Sequence, residues 1–143
     1  MYELYRRCES SINWVETQAE LPPREISLRN LIKRDLGTLG QAAPEMEMTD
    51  RELGAEHDVA TKWAQAYVME GSSVGASFMI RGAKQKLGDE IGCDFLTQLA
   101  ADAKQRWPLF VTALAASEVD GDAAVAAACD VFDRACDIFQ MHC

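Results

Sequence analysis

The stretch Tyr67-Val68-Met69-Glu70-Gly71-Ser72-Ser73-Val74-Gly75-Ala76-Ser77-Phe78 lies inside a long helical pattern, yet it carries residues that a helix built only for stability avoids. Gly71, Gly75, Phe78 and Gly82 follow one another at steps of four, three and four, so a helix stacks them on one side. Each interior glycine costs roughly 1 kcal/mol relative to alanine. A bare stripe of this kind lets something come close to the backbone, either another helix or a flat ligand.

Around that stretch the chain reads as helices joined by short turns. From Tyr2 to Gln18 the apolar positions Tyr5, Cys8, Ile12 and Val15 recur at three and four, which marks one buried face. Leu21-Pro22-Pro23 ends that helix. Ser27 is placed to cap a second helix, with Leu28, Leu31, Ile32, Asp35, Leu36 and Leu39 on or beside its inner face, and Gly40 closes it. Gln41 to Met48, containing Pro44, reads as a connecting loop. Thr49-Asp50-Arg51-Glu52 has the spacing of a capping box, which predicts a long helix from there to about Leu87 with Gly88 as its stop. Val59, Trp63 and Tyr67 carry its apolar face into the glycine-rich stretch, where glycine and serine together predict a kink or local unwinding near Gly71 to Gly75.

The next helix begins around Cys93 and carries Phe95, Leu99 and Ala103 towards Trp107. Pro108 must bend or restart it, and Leu109, Phe110 and Leu114 continue the buried side. Asp120-Gly121-Asp122 reads as a turn followed by a cap, and the last helix runs from about Ala123. On it Val125, Cys129, Phe132, Cys136, Phe139 and Cys143 form an apolar stripe at alternating four and three, the pattern of a core face. No segment sustains period-two alternation. The expected fold class is all-α, a single multi-helix bundle over residues 1–143 with a long kinked central helix.

Composition removes several classes of function. A chain of 143 residues matches one domain and can bury a core without disulfide or metal staples. The formal net charge is −9 with no basic patch to offset it, so neither nucleic acid nor an anionic membrane is an expected partner. Nothing near the N-terminus resembles a signal sequence and no segment is long and apolar enough to span a bilayer, which points to the cytoplasm. The five cysteines are odd in number and contain no C-x-x-C pair, in keeping with a reducing compartment.

The search for catalytic constellations is mostly negative. There is no Walker-type phosphate loop, no G-x-G-x-x-G after a strand and no H-E-x-x-H. With only His57 and His142, a His-rich metal site is excluded, and no Glu-x-x-His pair exists to build a di-iron bundle site. Ser72 and Ser73 have no histidine base near them in the sequence, so nucleophilic triad chemistry is not expected.

Tyr67 to Met79 resembles the distal-helix motif of bacterial heme oxygenases, whose common form is Y-V-x-E-G-S-x-x-G-[GA]. Arg24 through Gly40, as R-x-x-x-L-x-x-x-x-x-x-D-L-x-x-L-G, resembles that family's stretch before its long loop. Arg106-Trp107-Pro108-Leu109-Phe110 resembles its W-x-x-F helix, and Phe132 and Phe139 fit its aromatic-bearing final helix. The resemblance implies oxidative opening of heme to biliverdin with release of iron and carbon monoxide, using O₂ and an external electron donor such as a ferredoxin or reductase. It implies that the backbone at Gly71 and Gly75 lies against the heme face, with Ala76 in the motif's small-residue position. Ser72 would sit where an ordered water passes a proton, and Phe78 would wall the pocket. Arg81, Lys84 and Lys86 would either meet the heme propionates or form a solvated face.

In that family a histidine on the first helix holds the iron, and by the spacing of the matched segments this helix would fall before Met1. His57, read as lying on the same long helix fourteen residues before Gly71, is roughly 20 Å away along the axis. His142 lies near a terminus. Thiolate ligation from Cys129, Cys136 or Cys143 is the other route to iron, but their stripe is what core packing alone gives, so no metal ligand is assigned. Two classes of function follow: a heme oxygenase, or a non-catalytic protein of the same fold. In the second, the groove left by the absent helix is covered by dimerisation, since large exposed apolar patches mark interfaces.

Overall fold

The three-four spacing of Tyr5, Cys8, Ile12 and Val15 is used as expected in the computed structural model, where α1 (Tyr2–Gln18) buries all four. The structure describes residues 1–43, 57–88 and 93–140. Among these residues it is all-α, with α2 (Leu28–Thr38), α3 (Val59–Leu87), α4 (Asp94–Gln105), α5 (Trp107–Ala116) and α6 (Gly121–Gln140) following α1. The central element is α3, against which α1, α4, α5 and α6 all pack, while α2 bridges α1 and α4.

The apolar interior forms two adjoining clusters. The larger joins Leu4, Tyr5, Cys8 and Ile12 of α1 to Leu31 and Ile32 of α2, Met69 and Ala76 of α3, and Leu99 of α4. The smaller is aromatic, with Trp63 and Phe110 packed around Val15, Leu21 and Ala66. Burial of a Leu, Ile or Phe side chain contributes about 1.5–3 kcal/mol, so these clusters are the main source of stability.

Local sequence signals set most of the helix ends. Ser27 caps α2 by accepting a hydrogen bond from the Asn30 amide at 3.3 Å, and Gly40 follows with a φ of +69°. Gly88 ends α3 at a φ of +89°. Pro108 restarts the chain as expected: α4 stops at Gln105 and α5 begins at Trp107 with the proline in its first turn, where a missing N–H costs nothing. At the last turn the cap is Asp120, whose carboxylate accepts from the Ala123 amide at 3.0 Å.

The start of α4 depends on a distant residue. Asp35 of α2 accepts hydrogen bonds from the backbone amides of Asp94 and Phe95, both at 3.0 Å, capping a helix about sixty residues away. This ties α2 to α4 and satisfies two amide donors that have no partner within their own helix. Asp35→Ala is expected to lower stability by about 1 kcal/mol, the usual worth of an N-cap. A denaturation midpoint unchanged by the substitution would show that solvent replaces the carboxylate without loss.

Four expectations are corrected. Asp58 is extended and caps α3 through the Thr61 amide at 2.8 Å, so the long helix begins at Val59 and His57 precedes it instead of riding on it. The capping box at Thr49 to Glu52 lies outside the described residues. Helical structure runs unbroken through Gly71 to Gly75, so the backbone does not unwind there. Leu39, Val59, Tyr67 and Leu109 are exposed, Leu39 at the C-cap of α2 and Val59 at the first position of α3.

The fourth correction concerns α6. Val125, Cys129, Phe132 and Cys136 face outward, with Phe132 53% exposed. The face turned to the core is a second stripe of the same period, Ala128, Val131, Ala135 and Ile138. Small residues let α6 approach α3 closely, and the bulky stripe is left outside. Cys143 and the side chain of Phe139 lie outside the described residues, as does His142.

Candidate functional site

Between α3 and α6 lies an apolar cleft of about 620 Å³. Tyr67, Val68, Gly71, Ser72 and Val74 of α3 form one wall. Leu4 and Tyr5 of α1 close one side, Trp107 another, and Phe132, Ala135 and Cys136 of α6 stand opposite. The volume lies within the range of roughly 300–1,000 Å³ typical of small-molecule sites. Phe132 and Cys136 reach this wall because the bulky stripe of α6 is not in the core.

The aromatic side of the cleft is preorganised. Trp107 stacks on Phe110 with ring centroids 5.7 Å apart and meets Tyr67 at 5.6 Å. A Cβ on Gly71 would stand 3.4 Å from the Trp107 ring, so this glycine admits the indole. Gly75 behaves differently: nothing comes within 4 Å of the place where its Cβ would be. Of the two explanations for the bare stripe, close packing accounts for Gly71 and leaves Gly75 facing open space.

Ser72 supplies a polar point on the wall. Its hydroxyl donates to the Met69 carbonyl at 2.7 Å and lies 3.1 Å from the Tyr5 hydroxyl. A serine has a single hydroxyl proton. With that proton on Met69, the second contact is made by Tyr5 donating to Ser72. Tyr5 is held by edge-on packing against Phe95 at 5.5 Å. Burial pushes its hydroxyl up to about 12, partly opposed by the Ser72 hydrogen bond, and burial likewise pushes the Cys8 thiol up to about 11.

These shifts predict an alkaline weak point. In both groups folding favours the neutral form, so the stabilisation is complete below the ordinary values of 10.0 and 9.0 and is lost as pH rises through about 12 and about 11. The stability lost on ionisation is on the order of 2–3 kcal/mol for each group. The unfolding free energy is therefore expected to fall between pH 9 and 12, and Tyr5→Phe is expected to make the fall shallower above pH 10 and to leave the share of Cys8, which ends at about 11. A Tyr5→Phe variant with the same alkaline slope as the parent would contradict that assignment.

Behind the cleft, a buried ionic cluster fixes α3. Glu70, only 2% exposed, pairs with Arg106 at 2.7 Å and with Arg24 at 3.0 Å. Arg24 also reaches Asp102 at 2.7 Å and Glu16 at 3.1 Å, and Arg106 reaches Glu16 at 2.7 Å and donates to the Pro22 carbonyl. Gln98 donates to the other oxygen of Asp102 at 2.9 Å. Desolvation disfavours the Arg24 charge, but Glu70 and Asp102 outweigh it and hold its guanidinium above the ordinary range. One cluster thus joins α1, the α1–α2 loop, α3, α4 and the α4–α5 junction. Glu70 immediately precedes Gly71, so the cluster anchors α3 next to its cleft-lining residues.

The structure distributes the expected site residues unevenly. Gly71 and Ser72 line the cleft, and Gly75 is exposed beside it. Ala76 is fully buried in the larger core cluster and has no surface to offer a ligand. Phe78 is 71% exposed and is not among the cleft walls. Arg81, Lys84 and Lys86 are exposed further along α3, where the two lysines also suit the negative end of the helix dipole. Sequence reasoning missed Tyr5 and Trp107 as walls and Glu70, Arg24 and Arg106 as a cluster. A glutamate inside an otherwise small and apolar helical run was the available signal for the last.

No described helix is long and apolar enough to cross a membrane, and among the described residues no group of three or more His, Cys, Asp or Glu side chains is placed to hold a metal ion. No protein-family model, curated protein or solved structure matches the chain.

Proposed function

We propose that this chain is a heme oxygenase-like protein, with a heme oxygenase-like bundle, a bent central helix and heme cleavage to biliverdin, carbon monoxide and iron as its activity. One observation carries the reading: the Gly71-Ser72 portion of the Tyr67 to Met79 motif faces an apolar cleft, and Gly75 beside it faces open space. A flat macrocycle needs a bare helix face and apolar walls, and both are present.

The residues fit heme in shape and chemistry. The backbone at Gly71 and Gly75 would underlie the ring, while Tyr67, Trp107 and Phe132 would cover its apolar surface. Arg81, Lys84 and Lys86 lie outside the cleft lining, further along the same helix, and would be the cations for propionates that extend out of it. Cys136 is the thiol on the cleft wall and would be the residue able to hold the iron. Bound heme would supply O₂ chemistry driven by electrons from an external ferredoxin or reductase. The chain's part is to hold the ring, exclude water with its aromatic walls, and present Ser72 as the polar contact.

The test is to load the purified chain with hemin, add a reducing system under air, and follow absorbance. Appearance of a verdin band with loss of the heme band is the expected result; hemin recovered intact would contradict the activity. A second reading, a non-catalytic module that dimerises through its apolar face, is favoured by Val125, Phe132 and Phe78, all more than half exposed. Light scattering is expected to give twice the chain mass, and Phe132→Glu is expected to restore the single-chain mass. A parent protein that runs as a monomer would remove this reading.

A further inference from the structure

Between α1 and the chain that enters α2 lies a second cavity, of about 210 Å³, lined by Glu9, Ile12 and Glu16 on one side and by Arg24, Leu28 and Arg29 on the other. Arg24 pairs with Glu16 at 3.1 Å and Arg29 with Glu9 at 2.8 Å, so this chain runs back along α1 and sets an ion pair at each end of the cavity. Ile12 and Leu28 fall between the two pairs along the chain and give the middle an apolar lining.

The two ends leave different groups unspent. Glu16 belongs to the buried cluster, where the two guanidiniums of Arg24 and Arg106 meet the three carboxylates of Glu16, Glu70 and Asp102, an excess of one negative charge. Glu16 is the most exposed of those carboxylates, at 26%, and both of its hydrogen bonds fall on Oε1, which leaves Oε2 to accept from a cation. At the other end Arg29 donates to Glu9 through Nη1, while its Nε is buried with no hydrogen-bond partner. An orphaned donor of this kind costs free energy that an acceptor recovers. Glu9 and Glu16 stand seven residues apart on α1. That is about 10 Å at helical rise, and a hydrogen bond of about 2.8 Å at each end leaves about 5 Å between the charged groups of a ligand. An α-amino acid holds its nitrogen and carboxyl carbon only about 2.5 Å apart.

We propose that this cavity binds a short ω-amino carboxylate, with its ammonium on Glu16, its carboxylate on Arg29 and its methylenes against Ile12 and Leu28. The volume is below the roughly 300–1,000 Å³ of sites for larger organic ligands, which restricts the occupant to a small metabolite. The proposal is independent of what occupies the larger cleft.

Calorimetric titration of the full chain with 4-aminobutyrate tests it. One-to-one saturation with a Kd of about 1 mM or tighter is expected. The isomer 2-aminobutyrate, whose charges are too close together, and butylamine and butyrate, which each lack one charged end, are expected to bind at least about tenfold more weakly. Arg29→Gln is expected to weaken 4-aminobutyrate by about tenfold and to change butylamine by less than about twofold, since only the carboxylate contact is removed. The Arg29–Glu9 pair is partly exposed, so the variant should keep the helical signal and melting midpoint of the parent within a few degrees. No saturable binding of 4-aminobutyrate to the parent would overturn the proposal. Equal affinity for the two isomers, or butylamine binding as tightly as 4-aminobutyrate, would do the same on the parent chain alone, whatever the variant's stability. A folded Arg29→Gln with unchanged affinity would overturn the place given to the carboxylate.

Discussion

Glu70→Ala is expected to destabilise the chain by about 3–5 kcal/mol, the usual consequence of removing one partner from a buried ion pair. Glu70 is the carboxylate shared by Arg24 and Arg106, and all three side chains are at most 8% exposed. Without it, Arg24 keeps Asp102 and Glu16 and Arg106 keeps Glu16, but the guanidinium N–H groups that Glu70 accepts from are left buried. Two cations sharing fewer carboxylates, with donors stripped of both water and acceptor, make the loss large. Chemical denaturation should show it as a lower midpoint with an unchanged slope. Glu70→Gln should fall between alanine and the parent, because it keeps the volume and one acceptor but loses the charge. A loss below about 1 kcal/mol would mean that the cluster is no stronger than a surface pair.

Gly75→Leu is expected to do the opposite to stability and to abolish ligand binding. No neighbour lies within 4 Å of the Cβ position and Gly75 is exposed, so a side chain can start there without a clash at its Cβ. Leucine is the better helix former by roughly 0.8–1 kcal/mol, and the variant should melt at a higher temperature than the parent. The same side chain would stand on the bare strip of α3 beside Gly71, in the space assigned to the ring face. Hemin affinity is expected to fall at least about tenfold, equivalent to about 1.4 kcal/mol. Gly71→Ala makes a useful contrast, since its methyl would stand 3.4 Å from the Trp107 ring, in contact with the wall itself.

Periodicity was enough to place the helices, because burial of one face requires three-four spacing in any bundle. Tyr5, Cys8, Ile12 and Val15 read correctly for this reason, as did the stops at Gly40 and Gly88 and the restart at Pro108. Periodicity could not choose between two stripes on α6. The bulky one ending in Phe132 and Cys136 is the more hydrophobic, yet close approach to α3 selects the alanine-rich one. That single inversion opens the apolar wall of the cleft. Of the ionic cluster only Glu70, a glutamate in a small and apolar run, left a signal: Arg24, Glu70, Asp102 and Arg106 meet only after four segments are packed, and nothing in their spacing records which residues converge. The cross-helix cap from Asp35 is hidden in the same way. Of the motif itself, Gly71 and Ser72 reach the cleft, Gly75 lies exposed at its side, and Ala76 turns into the core.

The most direct test of a tetrapyrrole site is equilibrium titration of the parent chain and Gly75→Leu with hemin, monitored at the Soret band. The account predicts one-to-one saturation with a shifted band for the parent and a spectrum close to free hemin for the variant. A parent spectrum indistinguishable from free hemin, or equal saturable binding by both proteins, would contradict it.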